Sequence, residues 1–464
     1  MNALRPALLL LLALSQPAVA GERVGGFEVP ASGVIGVDES QLRADYWIAR
    51  MRDPDAVLMT PVQLEAQNAR LLAEDPSMHA LERLPTVLPR DEVAGRIARL
   101  SKRPTRALFF DDGKPVEAVW LDRLVDAVAI DAVPESQPTR FGLVVRRASL
   151  RTFPDATRVF GDTDDHDIDR FQESALFAGT SVAILHRSAD GRWLFVEAPN
   201  YAAWIEADAV AEGSREQVLG YAARRPARII LGAHAETVFT PEEPRVSSLR
   251  LEMSQRLPLA PVPADQPVNG QNPYLAWPML LPVRNADGTL SFAPALLPKS
   301  ADSASAPLPF TRANLLRQAF KLLGERYGWG HDYDGRDCSG FVDEVYRSVG
   351  VELPRNTGDQ SHSPVLANRR DFGAGDDRAA REAALAATQP GDLLFIPGHM
   401  MMVLGHVDGR LYVIHDIEVG VWLDASGHAH RMHLNGVSVT PFAPLRFGDD
   451  SDFTDQLTAI LRIP

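Results

Sequence analysis

Asp337-Cys338-Ser339-Gly340 holds the only cysteine in a chain of 464 residues. Beyond it Phe341, Val342, Val345, Tyr346 and Val349 recur at helical spacing, and Gly350 closes the run. Cys338 stands ahead of that apolar stripe, which suits a helix N-terminus better than a core thiol. Unpaired amides and the helix dipole at such a position favour negative charge, hence a thiolate. The same amides can hold an oxyanion. Asp337 opposes thiolate formation by its charge, but as the residue before the helix it is also a candidate N-cap.

On the N-terminal side, Thr311 can cap a helix carrying Leu315, Leu316, Ala319, Phe320, Leu322 and Leu323. A Gly-punctuated loop, Tyr327-Gly328-Trp329-Gly330, separates that helix from the cysteine. On the C-terminal side, a thiol nucleophile needs a base that is distant in sequence and near in space. His399 is the strongest candidate of 12 histidines. It follows the strand Leu393-Leu394-Phe395 and the turn Pro397-Gly398, and it opens the apolar strand Met400 to Leu404.

The formal net charge of -14 argues against nucleic acid or an anionic membrane as partner. Residues 1–20 read as a signal peptide: Arg5, an apolar core from Ala7 to Leu14 too short to span a bilayer, and Ala18-Val19-Ala20 before the cut. Export, to the periplasm, is therefore expected. No later stretch has the length and apolarity of a membrane helix. A lone cysteine in an exported chain is either buried and inert or kept for its chemistry.

The domain organisation follows from texture. Residues 21–136 read as a helical segment, with candidates at Pro61 to Ala73 and Asp91 to Leu100, cut short by prolines. Such pieces need other domains to bury their apolar faces. Residues 137–213 carry short strands and tight turns, the pattern of a small barrel. A second β-rich region covers 214–300, Ser300 to Pro309 reads as a linker, and 305–464 reads as one α+β domain.

Five motifs, in order, resemble the NlpC-type, papain-like cysteine peptidases: Tyr327-Gly-Trp-Gly, Asp337-Cys338-Ser339-Gly340-Phe341, Leu353-Pro354-Arg355, Gly391-Asp392-Leu393-Leu394-Phe395 and Gly398-His399. With the helical segment and two SH3-like barrels, the layout is similar to multidomain γ-D-glutamyl–L-diamino acid endopeptidases.

The resemblance implies a third polar residue orienting His399, here His415. If Asp408-Gly409 is a two-residue turn with perfect register, Asp416 shares a face with His399 and His415 points away. A bulge, or a three-residue loop, reverses this. The shift, and hence His415, is the expectation, with Asp416 as the substitute.

The resemblance also implies hydrolysis, through a thioester, of the bond between γ-D-glutamate and diaminopimelate or lysine in murein stem peptides. Cys338, His399 and His415 are the expected catalytic set. Tyr327, Trp329, Asp337, Ser339, Asn356, Thr357, Gly398 and Tyr201 are the expected substrate-binding set, with Asp337 and Ser339 holding the substrate amine. Trp204 is a further wall candidate, though it and Tyr201 also suit a barrel core. No cofactor or metal is expected, because the His, Asp and Glu residues show no ligand spacing. Two other readings remain: a non-catalytic peptidoglycan-binding SH3 protein, and an acyltransferase or amidase on the same fold.

Overall fold

The computed structural model describes residues 23–24, 27–28 and 34–463, except 264, 367, 374, 425 and 448–450. The expected signal peptide, 1–20, lies outside the described residues. Among them, no helix is long and apolar enough to cross a membrane.

The N-terminal segment forms helices at Pro61–Glu74, Arg90–Leu100 and Ala118–Ala127. Thr60 caps the first by accepting from the Gln63 amide, and Pro61 occupies its first position, where no N–H is needed. The segment divides its apolar side chains between two cores. Leu64 and Leu71 join the C-terminal core with Phe310 and Val345. Val93, Ile97, Leu121 and Leu124 join Phe195, Trp204 and Leu281 of the β units. At about 1.5–3 kcal/mol per buried aliphatic side chain, this is a strap across the molecule.

Residues 140–213 form a seven-stranded antiparallel sheet in the order Val210–Gly213, Arg140–Val144, Ser181–Arg187, Trp193–Ala198, Tyr201–Glu206, Ala148–Arg151 and Gln172–Leu176. A turn at 188–191 joins two of these strands, with Gly191 at φ 71°. The second β unit is built from Ala227–Ile230, Arg256–Pro258 and the hairpin Ala276–Arg284/Leu290–Pro298. The stretch read as a linker is partly structural: Ser303–Ala304 pairs with Ile229 and Ile230. Its composition is loop-like, but the pairing groups are backbone, which composition does not report.

The C-terminal unit packs the helices Arg312–Phe320 and Cys338–Ser348 on a six-stranded antiparallel sheet. Thr311 does cap the first, accepting from the Asn314 amide at 3.1 Å. The sheet order is Arg369–Asp371, Ala459–Leu461, Leu393–Ile396, His399–Val407, Arg410–Leu423 and Ala429–Pro441.

Buried charges join the three units. Arg147 of the first barrel donates to the carbonyls of His331 at 2.6 Å and Gly335 at 2.9 Å, and to Glu252 of the second unit at 2.6 Å. Arg336, 0% exposed, binds Glu252 at 3.1 Å, Glu344 at 2.8 Å and Glu325.

Candidate active site

Cys338 is the first residue of its helix, and Asp337 is the N-cap, its Oδ1 accepting from the Gly340 amide at 2.8 Å. The thiol is 6% exposed. Its sulfur lies 3.6 Å from Thr357 Oγ1, and the Met400 amide is near enough to favour the thiolate. The start of the helix and the start of the His399 strand therefore meet at Cys338.

The hairpin after His399 has a two-residue turn, with Asp408 at φ 50° and Gly409 at φ 75°. Val407 pairs with Arg410, His406 with Leu411 and Gly405 with Tyr412; then the register slips, and Val403 pairs with Val413. Leu404 is the extra residue of a bulge, followed by Gly405 at φ 140°. The slip turns His415 to the face of His399. The two rings meet, His399 Nε2 lying 2.8 Å from His415 Nδ1, while His415 Nε2 lies 3.0 Å from Thr440 Oγ1. Asp416 takes the opposite face, fully buried, and neither carboxyl oxygen has a hydrogen-bond partner among the described residues.

Electrostatics differ from the expectation of a ready thiolate. Burial, followed by the Asp337 charge, pushes the Cys338 thiol up to about 11. Burial lowers His399 to about 4. His415 falls well below its usual value through burial and then through His399. Desolvation outweighs the helix dipole here, so the resting pair is thiol and neutral imidazole.

Asp337 and Ser339 are held by bonds within the protein. The Asp337 carboxylate accepts from Gly340 N, Ser339 Oγ and Arg355 through Oδ1, and from Gly330 N and Arg355 through Oδ2. Those bonds use its acceptor directions, and the residue is 7% exposed. Ser339 Oγ both donates to Asp337 at 3.1 Å and accepts from Arg355 at 2.9 Å. The Asp337 acceptor sites are filled, while Ser339 Oγ keeps one acceptor lone pair. Both build the helix start.

The other expected residues separate. Tyr327 is buried beside Cys338, and burial followed by the thiol's charge raises its phenol well above the usual value. Trp329 is half-buried and donates Nε1–H to the Gln172 carbonyl at 3.0 Å, so it docks the first barrel. Asn356 and Gly398 are exposed at the ends of their segments, and Thr357 is half-buried against the sulfur. Tyr201 is half-buried and donates to Glu173 Oε2 at 2.5 Å, close enough to Asp337 and Arg355 to feel their charges. Trp204 is core, its Nε1 bonded to Ser101 Oγ at 3.0 Å.

Three residues were not picked out by the sequence reading. Glu173 sits on the strand Gln172–Leu176 and also accepts from the Thr152 hydroxyl. His331 is buried between Glu344 and Arg355. Arg355 was read only as part of a motif. Asp165, Asp167 and Glu418 bring carboxylate oxygens within 4.8 Å of one another, the one such acidic group among the described residues. Asp167 is already bound to Arg326 at 2.6 Å and Asn435 at 3.0 Å.

Residues 324–438, which span Tyr327, Cys338, His399 and His415, match the NlpC/P60 family. The C-terminal unit is an NlpC/P60 domain. Residues 158–206 match an SH3 domain of the SH3b1 type. NlpC/P60 domains are peptidoglycan hydrolases, generally cysteine peptidases. A γ-D-glutamyl-L-lysine dipeptidyl-peptidase from Bacillus cereus (strain ATCC 10987 / NRS 248) is 36% identical over 64 residues, 14% of this chain and 19% of that protein. An NlpC/P60 endopeptidase from Photobacterium damselae subsp. piscicida shares the fold, with TM-score 0.73 and 15% identity over 90% of this chain and 96% of that one. An NlpC/P60 family protein from Bacillus cereus ATCC 10987 gives TM-score 0.46 and 19% identity over 69% of this chain and 99% of that one.

Proposed function

We propose that the protein is a cysteine endopeptidase that hydrolyses the γ-D-glutamyl–diamino acid bond of murein stem peptides. What supports this reading is the His399–His415 hydrogen bond at the start of a strand whose next residue, Met400, acts on the Cys338 sulfur through its amide.

With His415 donating through Nε2 to Thr440, its Nδ1 accepts a hydrogen bond from His399 Nε2–H. That leaves a bare His399 Nδ1 as base. Cys338 Sγ attacks the carbonyl carbon as His399 takes the thiol proton. The Cys338 amide and the Tyr327 hydroxyl stabilise the oxyanion. Collapse gives a thioester, and His399 protonates the departing amine. Water, deprotonated by His399, then releases the γ-glutamyl carboxylate and restores the thiol.

Glu173, not Asp337, is the better partner for a free L-alanyl ammonium. Its side chain is partly exposed, oriented by the Tyr201 and Thr152 hydroxyls, and presented by the first barrel.

The deciding experiment incubates the protein with L-Ala-γ-D-Glu-diaminopimelate and with intact murein. Cleavage abolished by Cys338→Ala is expected. Cleavage of neither substrate, or cleavage untouched by that substitution, overturns the reading.

A further inference from the structure

Arg355 is 4% exposed, and every N–H of its guanidinium is used. Nε donates to Ser174 Oγ of the first barrel at 2.8 Å. Nη1 donates to Asp337 Oδ1 at 3.0 Å and to Ser339 Oγ at 2.9 Å. Nη2 donates to Asp337 Oδ2 and to His331 Nδ1, both at 2.8 Å. Five donors thus meet acceptors on the first barrel, the start of the Cys338 helix and the loop before it.

The chemistry fixes His331 as well. A guanidinium only donates, so Nδ1 of His331 is an acceptor and carries no proton. The proton sits on Nε2, which reaches Glu344 Oε1 at 3.1 Å, on the same helix as Cys338. The ring is held neutral and wedged against the first turn of that helix.

We propose that Arg355 is a positioning residue for Cys338: it holds the Asp337 carboxylate as the helix cap, offsets the field that carboxylate exerts on the thiol, and through Ser174 makes both depend on the first barrel. Its kinetic part rests on the peptidase reading above; its electrostatic part does not.

The argument is one of competing charges. The Asp337 carboxylate caps the helix, yet it stands beside the sulfur that must become an anion. Asp337 and, more weakly, Asp416 are the carboxyls that disfavour the anion, and Tyr327 is the phenol beside it. Arg355 is the cation bound directly to the cap. It also faces Asp343 and Tyr201. Without it, the cap would act on the thiol with its full charge. A buried ion pair is no sign of a stabilising role in itself, since apolar replacements often match such pairs. The thiol's ionisation separates the two roles.

The test alkylates the full-length protein with iodoacetamide across pH. Cys338 is the single cysteine, so the rate reports that thiol alone. Arg355→Gln keeps donors but loses the charge, and its alkylation midpoint is expected to rise by about one pH unit. Below the midpoint that is a roughly tenfold slower reaction. Its peptide hydrolysis should fall in kcat more than in KM. Arg355→Lys keeps the charge but not the five-donor geometry, so the wild-type midpoint with reduced kcat is expected. A Gln variant with the wild-type midpoint overturns the proposal, as does a Lys variant displaced as far as Gln or indistinguishable from wild type in kcat. If the Gln variant does not fold, a Lys variant whose midpoint rises by about one pH unit, or whose kcat equals that of wild type, overturns the proposal. Wild-type protein that titrates normally but cleaves no peptide would count against the peptidase reading, while the midpoints would still judge Arg355.

Discussion

His399 Nε2 lies 2.8 Å from His415 Nδ1 although a two-residue turn closes the hairpin between them. Leu404, one residue in excess, is what brings the rings together. The hydrogen bond fixes the tautomer and the plane of His399. Substituting His415 with Ala should leave the fold intact and lower kcat roughly 100-fold, the scale of a mis-set general base. Steady-state kinetics with a defined tripeptide check this.

The pH–rate profile should be broad. His399 must be unprotonated to accept the thiol proton, so kcat/KM should rise with pH through about 4. It should hold until the thiol itself ionises near about 11. An acid limb near the ordinary histidine value, about 6.5, would place the base in water rather than in this site.

Asp416 offers a stability test. Its folded pKa lies well above the unfolded value because of burial, followed by repulsion from Asp337 and Glu325. A raised carboxyl pKa favours folding while the group stays protonated, and that advantage is lost as pH rises from about 4 through the folded value. Relative to Asp416→Asn, wild type should therefore lose stability with increasing pH. Urea midpoints at several pH values measure it, and a constant difference between the two proteins would contradict the assignment.

Gly340 admits no larger residue. A Cβ there would lie 2.5 Å from His331 Cε1 and 2.8 Å from Nε2. That ring is held by Arg355 and Glu344 and cannot retreat cheaply. Gly340→Ala should cost about 1–3 kcal/mol in chemical denaturation.

Glu173→Gln should raise KM for peptides with a free amino terminus several-fold and leave an N-acetylated peptide unchanged. Equal effects on both would remove Glu173 from the amine contact.

Much of this was legible because local chemistry writes itself into local sequence. The Cys338 helix, its Asp337 cap and the Thr311 cap are each set by residues within a few positions. The hairpin was legible only as two alternatives, since a bulge at Leu404 leaves no compositional mark. Charges that answer one another across more than a hundred residues were not legible at all. Glu173 looks like any half-exposed strand glutamate, and Asp337 looked free for substrate because Arg355 and Gly330 converge on it only in three dimensions.

The buried charges that join the units bear on how such chains can be recombined. Arg147 and Ser174 belong to one barrel and Glu252 to its neighbour, yet all three answer groups in or around the loop that leads into Cys338. A chimaera that swaps in a relative's barrel inherits that relative's answers. Unless these three positions travel together with the loop, the transplanted barrel should dock over a catalytic helix it no longer helps to set.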